Sequence, residues 1–277
     1  MRRRQPLEKA SYSAAADPRP TLGFMTFSPD PVSTRTFAPP AALEATNRVD
    51  VRRPGTPVQR WVNALAGQPY WAPPPGPLVV VAPHPNEECL GAGGLMYTWA
   101  RAQRPVAVVS VTDGEAARPR WRGLSDVRQQ ELKHALRELG GGSILLVRLG
   151  LPDGQLPRHL PTLRHILRQL GSGGTLIGPF ERDGHLDQEQ VGQLCCELGA
   201  ENGMTVARYP IWAWHQTTPA MLHQYPWGRF ALSDAAQAAK TRAVRCFQSQ
   251  LQARVGAAVL PRHLLRYFEG SEEAFIL

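Results

Sequence analysis

Long apolar runs are missing from this chain. No window approaches the ~18 uninterrupted apolar residues of a membrane-crossing helix, so no membrane span is expected. Cysteine is scarce: Cys89, Cys195, Cys196 and Cys246 are the only four in 277 residues, and their spacing fits neither a disulfide framework nor a zinc knuckle. They read as reduced, mostly buried thiols. Lysine is scarcer still, with Lys9, Lys133 and Lys240 standing against 28 arginines. That imbalance reads as compositional bias, and no nucleic-acid partner is expected. Arg2, Arg3 and Arg4 are not followed by the apolar stretch of a signal peptide, since Leu7 gives way to Glu8 and Lys9, so the expected location is the cytoplasm. Internal repeats are absent, and the sequence leaves the oligomeric state open.

Proline, by contrast, is abundant and uneven: 14 of 26 fall in residues 1–77, a composition that cannot hold a regular core. Five of the eight units of net positive charge fall in residues 1–75. Residues 1–47 are therefore expected to be a flexible tail, and 48–277 the folded domain. A short helix over Val58–Leu65 puts Trp61 and Leu65 on one face. From Leu78 to Ala82 the run Leu-Val-Val-Val-Ala lacks polar alternation, as a strand buried on both faces requires. Similar runs recur at 106–111, 144–149, 175–178 and 205–207, separated by helical spacing at 90–103, 125–139, 157–170 and 188–201. A last helix is expected near 233–252, with Ser233 as its N-cap. This alternation predicts an α/β, Rossmann-like fold, a mostly parallel sheet covered by helices on both faces.

In such sheets, sites form at the carboxyl ends of strands. The first strand runs into Pro83-His84-Pro85-Asn86-Glu87-Glu88-Cys89-Leu90-Gly91-Ala92-Gly93-Gly94, whose imidazole and carboxylates are the N and O ligands a divalent metal accepts. The same residues also read as a solvated acidic turn with His84 capping the strand. After the fourth strand comes Gly184-His185-Leu186-Asp187-Gln188, which either faces the first loop across a site or is an ordinary polar helix start. The glycines of the first loop and Asp113 raise a dinucleotide-binding reading, but the third fingerprint position is Met96 and the turn after the strand is too long. Close packing explains those glycines without a ligand. His134, His159, His165, His223 and His263 lie away from strand ends and read as solvent-facing or structural.

Together the two loops resemble the PIG-L/LmbE family of zinc-dependent N-acetylglucosaminyl deacetylases, whose motifs run roughly P-H-P-D-D-E-x-x-G-x-G-G and G-H-P-D-H. Thr112-Asp113-Gly114-Glu115, the helix with Arg128 and Glu131, Leu151-Pro152-Asp153-Gly154 and Tyr209–His215 also resemble family segments, in family order. The resemblance implies His84 as a zinc ligand, Glu87 in place of a ligand aspartate, and Gln188 in place of a ligand histidine. It places Asn86 where the family has its general base, His185 where it stabilises the oxyanion, and Asp187 where it orients neighbours. Asp113, Glu115, Arg128 and His215 fall in segments expected to touch substrate.

An amide cannot accept a proton usefully near neutral pH, and a neutral amide oxygen is a poor zinc ligand. The expectation is therefore a degenerate site that holds zinc weakly or not at all and binds an N-acylated amino sugar or glycoside with little ordinary deacetylation. The alternative is an active amidase in which Glu87 or Glu88 serves as base.

Overall fold

The unbroken apolar composition of Leu78–Ala82 is explained by its position, since all five residues are buried at the centre of a sheet. The computed structural model describes residues 50–277 except 52, 170–172 and 253–257, all in the unit 32–277. The expected tail, 1–47, lies outside the described residues. In chain order the elements begin α1 (Val58–Leu65), β1 (Leu78–Ala82), α2 (Glu87–Arg101), β2 (Val106–Thr112), α3 (Leu124–Gly140), β3 (Ile144–Leu151), α4 (Leu160–Gln169) and β4 (Thr175–Pro179). They continue α5 (Leu186–Asn202), β5 (Thr205–Tyr209), α6 (Ala213–Gln216), β6 (Trp227–Ala231), α7 (Asp234–Arg245), α8 (Gln248–Leu251), α9 (Arg262–Leu265) and β7 (Glu272–Ile276).

The sheet order is β3-β2-β1-β4-β5-β7-β6, with the first five strands parallel and β7 antiparallel to both its neighbours. Alternate residues of β1 serve opposite faces. Leu78 and Val80 join a core with α2, α3 and α7, while Val79 and Val81 join one with α4 and α5. The Rossmann-like expectation thus holds, with helices on both faces. Because the chain winds outward from β1 to β3 and then from β4 to β5, the order reverses between β1 and β4. A crevice opens there at the strands' carboxyl ends.

The remaining strands depart from expectation. β6 and β7 were not legible as strands, and the helix expected near 233–252 stops at Arg245, resuming as α8 after Phe247 (φ −81°, ψ 55°). Over 157–170 the chain forms a 3-10 turn, Leu156–Arg158, and then α4. Helix α2 bends at Ala92 (φ −139°, ψ 18°), which frees backbone donors just beyond it. Glu273 of β7 accepts those of Gly94 at 2.7 Å and Leu95 at 2.9 Å, and Lys240 of α7 completes the buried pair at 2.8 Å. Bare helix donors inside a core would otherwise be costly.

The glycines of the first loop serve this packing. A Cβ on Gly91 would enter the Tyr209 ring, and one on Gly94 would meet Leu232. Among the described residues no helix is long and apolar enough to cross a membrane.

Candidate functional site

The loops after β1 and β4 meet at the reversal point, as their positions in the sheet require. Thr112 at the end of β2 ties down the first loop, its backbone N–H and hydroxyl both donating to Pro83 O, at 3.0 and 2.8 Å. Asn86 then takes φ 113°, a left-handed value that asparagine tolerates better than most residues, and so turns the chain into α2. Glu87 and Glu88 occupy the first turn of that helix, where the macrodipole favours carboxylates. In the second loop Gly184 at φ 87° makes the turn, and His185 caps α5 by accepting the Asp187 N–H on Nδ1 at 3.3 Å.

His84 is the hub. Its Nδ1 lies 3.0 Å from Glu87 Oε1, and its Nε2 lies 2.9 Å from Asp153 Oδ1 and 3.3 Å from Asp187 Oδ2. Burial opposes the charged imidazole, but Glu87, Asp153 and Asp187 outweigh it and hold its pKa well above the ordinary value. Desolvation and the neighbouring His84 charge push His185 the other way, below the ordinary imidazole range. The two rings stand edge to face with centroids 5.3 Å apart. Burial of Asp153 is overcome by its bonds to His84 and the Ala116 N–H, leaving its pKa lowered.

A cleft of about 250 Å³ gathers His84, Asn86, Glu87, Arg128, His185, Asp187 and Gln188, seven of the eleven residues singled out from sequence. Glu88 is fully buried behind it, with its Oε2 accepting the Asn86 N–H at 3.1 Å, and burial pushes its carboxyl up to about 7. Three of the expected substrate contacts do not line the cleft. Asp113 is occupied by Arg148 Nε at 2.7 Å and by the Ser125 hydroxyl. Glu115 accepts the Asp153 N–H at 3.0 Å. His215 is buried in α6 beneath Gly55, 5.8 Å from the His263 ring.

Two wall residues that bond directly to the candidate residues were not singled out from sequence. Asp153 reaches His84 from the turn after β3, a strand end where a carboxylate could have been weighted more heavily. Gln250 of α8 donates to Pro85 O at 2.7 Å and accepts from Asn86 Nδ2 at 2.5 Å; nothing in the local sequence marks it. Gln188 turns its amide N–H toward Glu87 Oε1 at 2.5 Å, so two residues of the two motif loops are bonded to each other across the cleft.

Whether these residues suit a metal is tested by their unmet valences. Glu87 Oε2, Asp187 Oδ1 and Gln188 Oε1 are buried oxygens without a hydrogen-bond partner. One ligand atom each from His84, Asp153 and Asp187 lie within 4.8 Å of one another. One imidazole among carboxylate oxygens fits a divalent cation, with no thiolate to select a soft one.

Residues 79–198 match the PIG-L family, described as GlcNAc-PI de-N-acetylase. The matched segment, 120 of the chain's 277 residues, is similar to that family. Its fold is similar to that of N,N'-diacetylchitobiose deacetylase from Pyrococcus horikoshii, with TM-score 0.54 and 20% identity over 72% of this chain and 82% of that one. It is similar also to the A40926 pseudoaglycone deacetylase, at TM-score 0.57 and 15% identity over 73% and 96% of the two chains. A zinc-inhibited form of teicoplanin deacetylase gives 0.55 and 14% over 72% and 97%. At these identities the likeness establishes the fold, and no curated protein matches the chain significantly. Both motif loops and the Asp153 turn fall inside the matched residues.

Proposed function

We propose that the His84 cleft binds an N-acylated amino sugar or glycoside and carries out little ordinary zinc-dependent deacetylation. One observation carries this reading: Asn86, in the position of the family's base, offers an amide already bonded to Gln250 in place of a proton acceptor. Losing a general base removes roughly 10²–10⁴ in rate. The other features suit ligand capture. His185 accepts the Asp187 N–H on Nδ1, so its neutral tautomer keeps the proton on Nε2 and can donate it to an amide carbonyl. Arg128 lines the cleft and anchors Nη1 on the carbonyls of Asp113 and Gly114, which holds the guanidinium in the wall. Half-buried Trp212 supplies an aromatic wall of the kind a sugar ring packs against.

His84, Asp153 and Asp187 would hold a divalent cation, with Glu87 beside them. Such an ion would supply polarisation of the amide carbonyl and activation of water. If the protein does hydrolyse amides, Glu87 is the better base, since it lines the cleft and Glu88 does not.

Elemental analysis and an acetate-release assay test the reading. Protein prepared without added metal should contain substoichiometric zinc, bind N-acetylglucosaminides by calorimetry and release no acetate. The combined change Asn86→Asp, Glu87→Asp and Gln188→His should restore zinc binding and measurable acetate release. Zinc affinity of that variant should rise with pH through a range above the ordinary imidazole value, because the ligand histidines must be neutral and the carboxylates around His84 favour its protonated form. Full turnover by the unaltered protein, or failure of a folded, zinc-loaded triple variant to release acetate, would overturn it.

A further inference from the structure

Asn86 sits at the N-cap of α2, where an asparagine ordinarily turns its side-chain oxygen onto the first N–H groups of its own helix. Here its side chain makes no such bond. Its backbone carbonyl takes the Cys89 and Leu90 N–H groups at 3.0 and 2.9 Å, and Glu88 Oε2 takes its backbone N–H, so the turn into the helix is held without the amide. The amide oxygen is left for another use.

Which way that amide faces follows from a short relay that begins at a proline. Pro85 O can only accept, so Gln250, 2.7 Å away, must present its NH₂ there and its oxygen to the other side. That oxygen also can only accept, and it lies 2.5 Å from the Asn86 amide, which must therefore present its own NH₂ to it. Asn86 Oδ1 is the remaining end of the relay, in a side chain that lines the His84 cleft, and no bond to it is made among the described residues. Gln250 is not placed to reverse this order. It is 1% exposed, its carbonyl accepts the Leu260 N–H at 3.0 Å, and the neighbouring Ser249 is held by Glu131 through both its N–H and its hydroxyl.

We propose that Asn86 Oδ1 is a specificity-determining acceptor for the amide N–H of an N-acyl group, an assignment that rests on the reading of the His84 cleft given above. In that reading His185 donates to the acyl carbonyl. A trans secondary amide shows its C=O and its N–H on opposite sides, and His185 and Asn86 are supplied by the two separate loops that meet at the cleft. Together they distinguish an amide from an ester or a ketone, which carries the same carbonyl but has no N–H to give. The position that in the family takes up a proton here reads one that stays on its nitrogen.

Calorimetry of the full chain with methyl N-acetylglucosaminide and with its ketone isostere, in which CH₂ replaces the N–H, tests the assignment. The amide should bind at least about fivefold, and up to about a hundredfold, more tightly, since the ketone leaves a buried acceptor unpaired. Asn86→Gly, which accommodates the φ of 113° while removing the acceptor, should lower that ratio toward one. The ratio is the readout because a merely structural loss weakens both ligands alike. A ratio below about fivefold in the unaltered protein, which needs no variant to fold, would overturn the assignment and leave sugar binding in place. An unchanged ratio in Asn86→Gly would overturn it too. Binding of neither ligand to the unaltered protein would overturn both the assignment and the reading on which it rests.

Discussion

Asp183 fixes one wall of the His84 cleft without touching it. Its carboxylate accepts the backbone N–H groups of Ile211 at 2.9 Å, Trp212 at 2.9 Å and Ala213 at 3.0 Å, so the turn into α6 hangs on one side chain. Burial pushes its pKa up to about 8, against those three donors, which favour the ionised form. In Asp183→Ala three donors lose their acceptor at a site where the residue is 1% exposed. Each orphaned group costs about 1–3 kcal/mol, and water entering the vacated space offsets part of this, giving about 3–5 kcal/mol in total. For a domain of this size that lowers the melting temperature by on the order of 10 °C. Asp183→Asn keeps one oxygen in place and turns an NH₂ toward the remaining donors, so it should fall between, near 2 kcal/mol. Thermal and urea melts at pH 7 measure both. If Asp183→Ala melts within about 2 °C of the unaltered protein, the turn is held by something else and the reasoning fails.

Glu88 predicts a pH dependence of stability. Its folded pKa is raised to about 7 from an ordinary 4.5, so its stabilising contribution is complete below 4.5 and is lost as pH rises through 7. The advantage of the unaltered protein over Glu88→Gln in urea melts should therefore shrink by roughly 3 kcal/mol between pH 4.5 and 8, and a constant gap would refute the shift. Gln250→Ala removes the acceptor for Asn86 and the donor to Pro85 and should cost about 2 kcal/mol, and Gln250→Glu, which keeps the acceptor but buries a carboxylate against Pro85 O, should cost at least as much at pH 7. Gln250→Ala should also weaken N-acetylglucosaminide binding by calorimetry, because Asn86 walls the cleft.

Much of this architecture could be read from local pattern, and what could not depends on distant partners. β1 announced itself because every residue is buried and apolar, and the reversal between β1 and β4 placed both motif loops at one crevice. β7, Glu-Glu-Ala-Phe-Ile, hides its nature because Glu273 is buried by virtue of Lys240 and two backbone donors far away in sequence. Helix α7 ended early for a similar reason: Ser249 turns aside to give its N–H and hydroxyl to Glu131, at 2.6 and 2.7 Å. Of the candidate site, the residues on the two motif loops other than Glu88 converge, together with Arg128. Asp113 carried the right chemistry, but Arg148 on the neighbouring strand claimed its carboxylate. Gln250 was illegible because an amide becomes a site residue only through the fold that brings it to Asn86.

The bend in α2 has a kinetic meaning. Its freed donors at Gly94 and Leu95 are capped by a residue 179 and 178 positions away, so the helix that carries the first motif is synthesised long before its cap exists. β6 depends on the same late arrival, since its ladder partner in the sheet is β7, inserted between it and β5. Contacts this remote must close a very long loop before they return any stability, and they form slowly. Until residues 272–276 dock, Lys240 lacks its counter-charge, β6 has no place in the sheet, and apolar surface on α2 and α7 stays open to aggregation. A nascent or truncated chain stopping short of Glu272 would therefore expose the back of the motif helix as well as the edge of β6 that β7 covers.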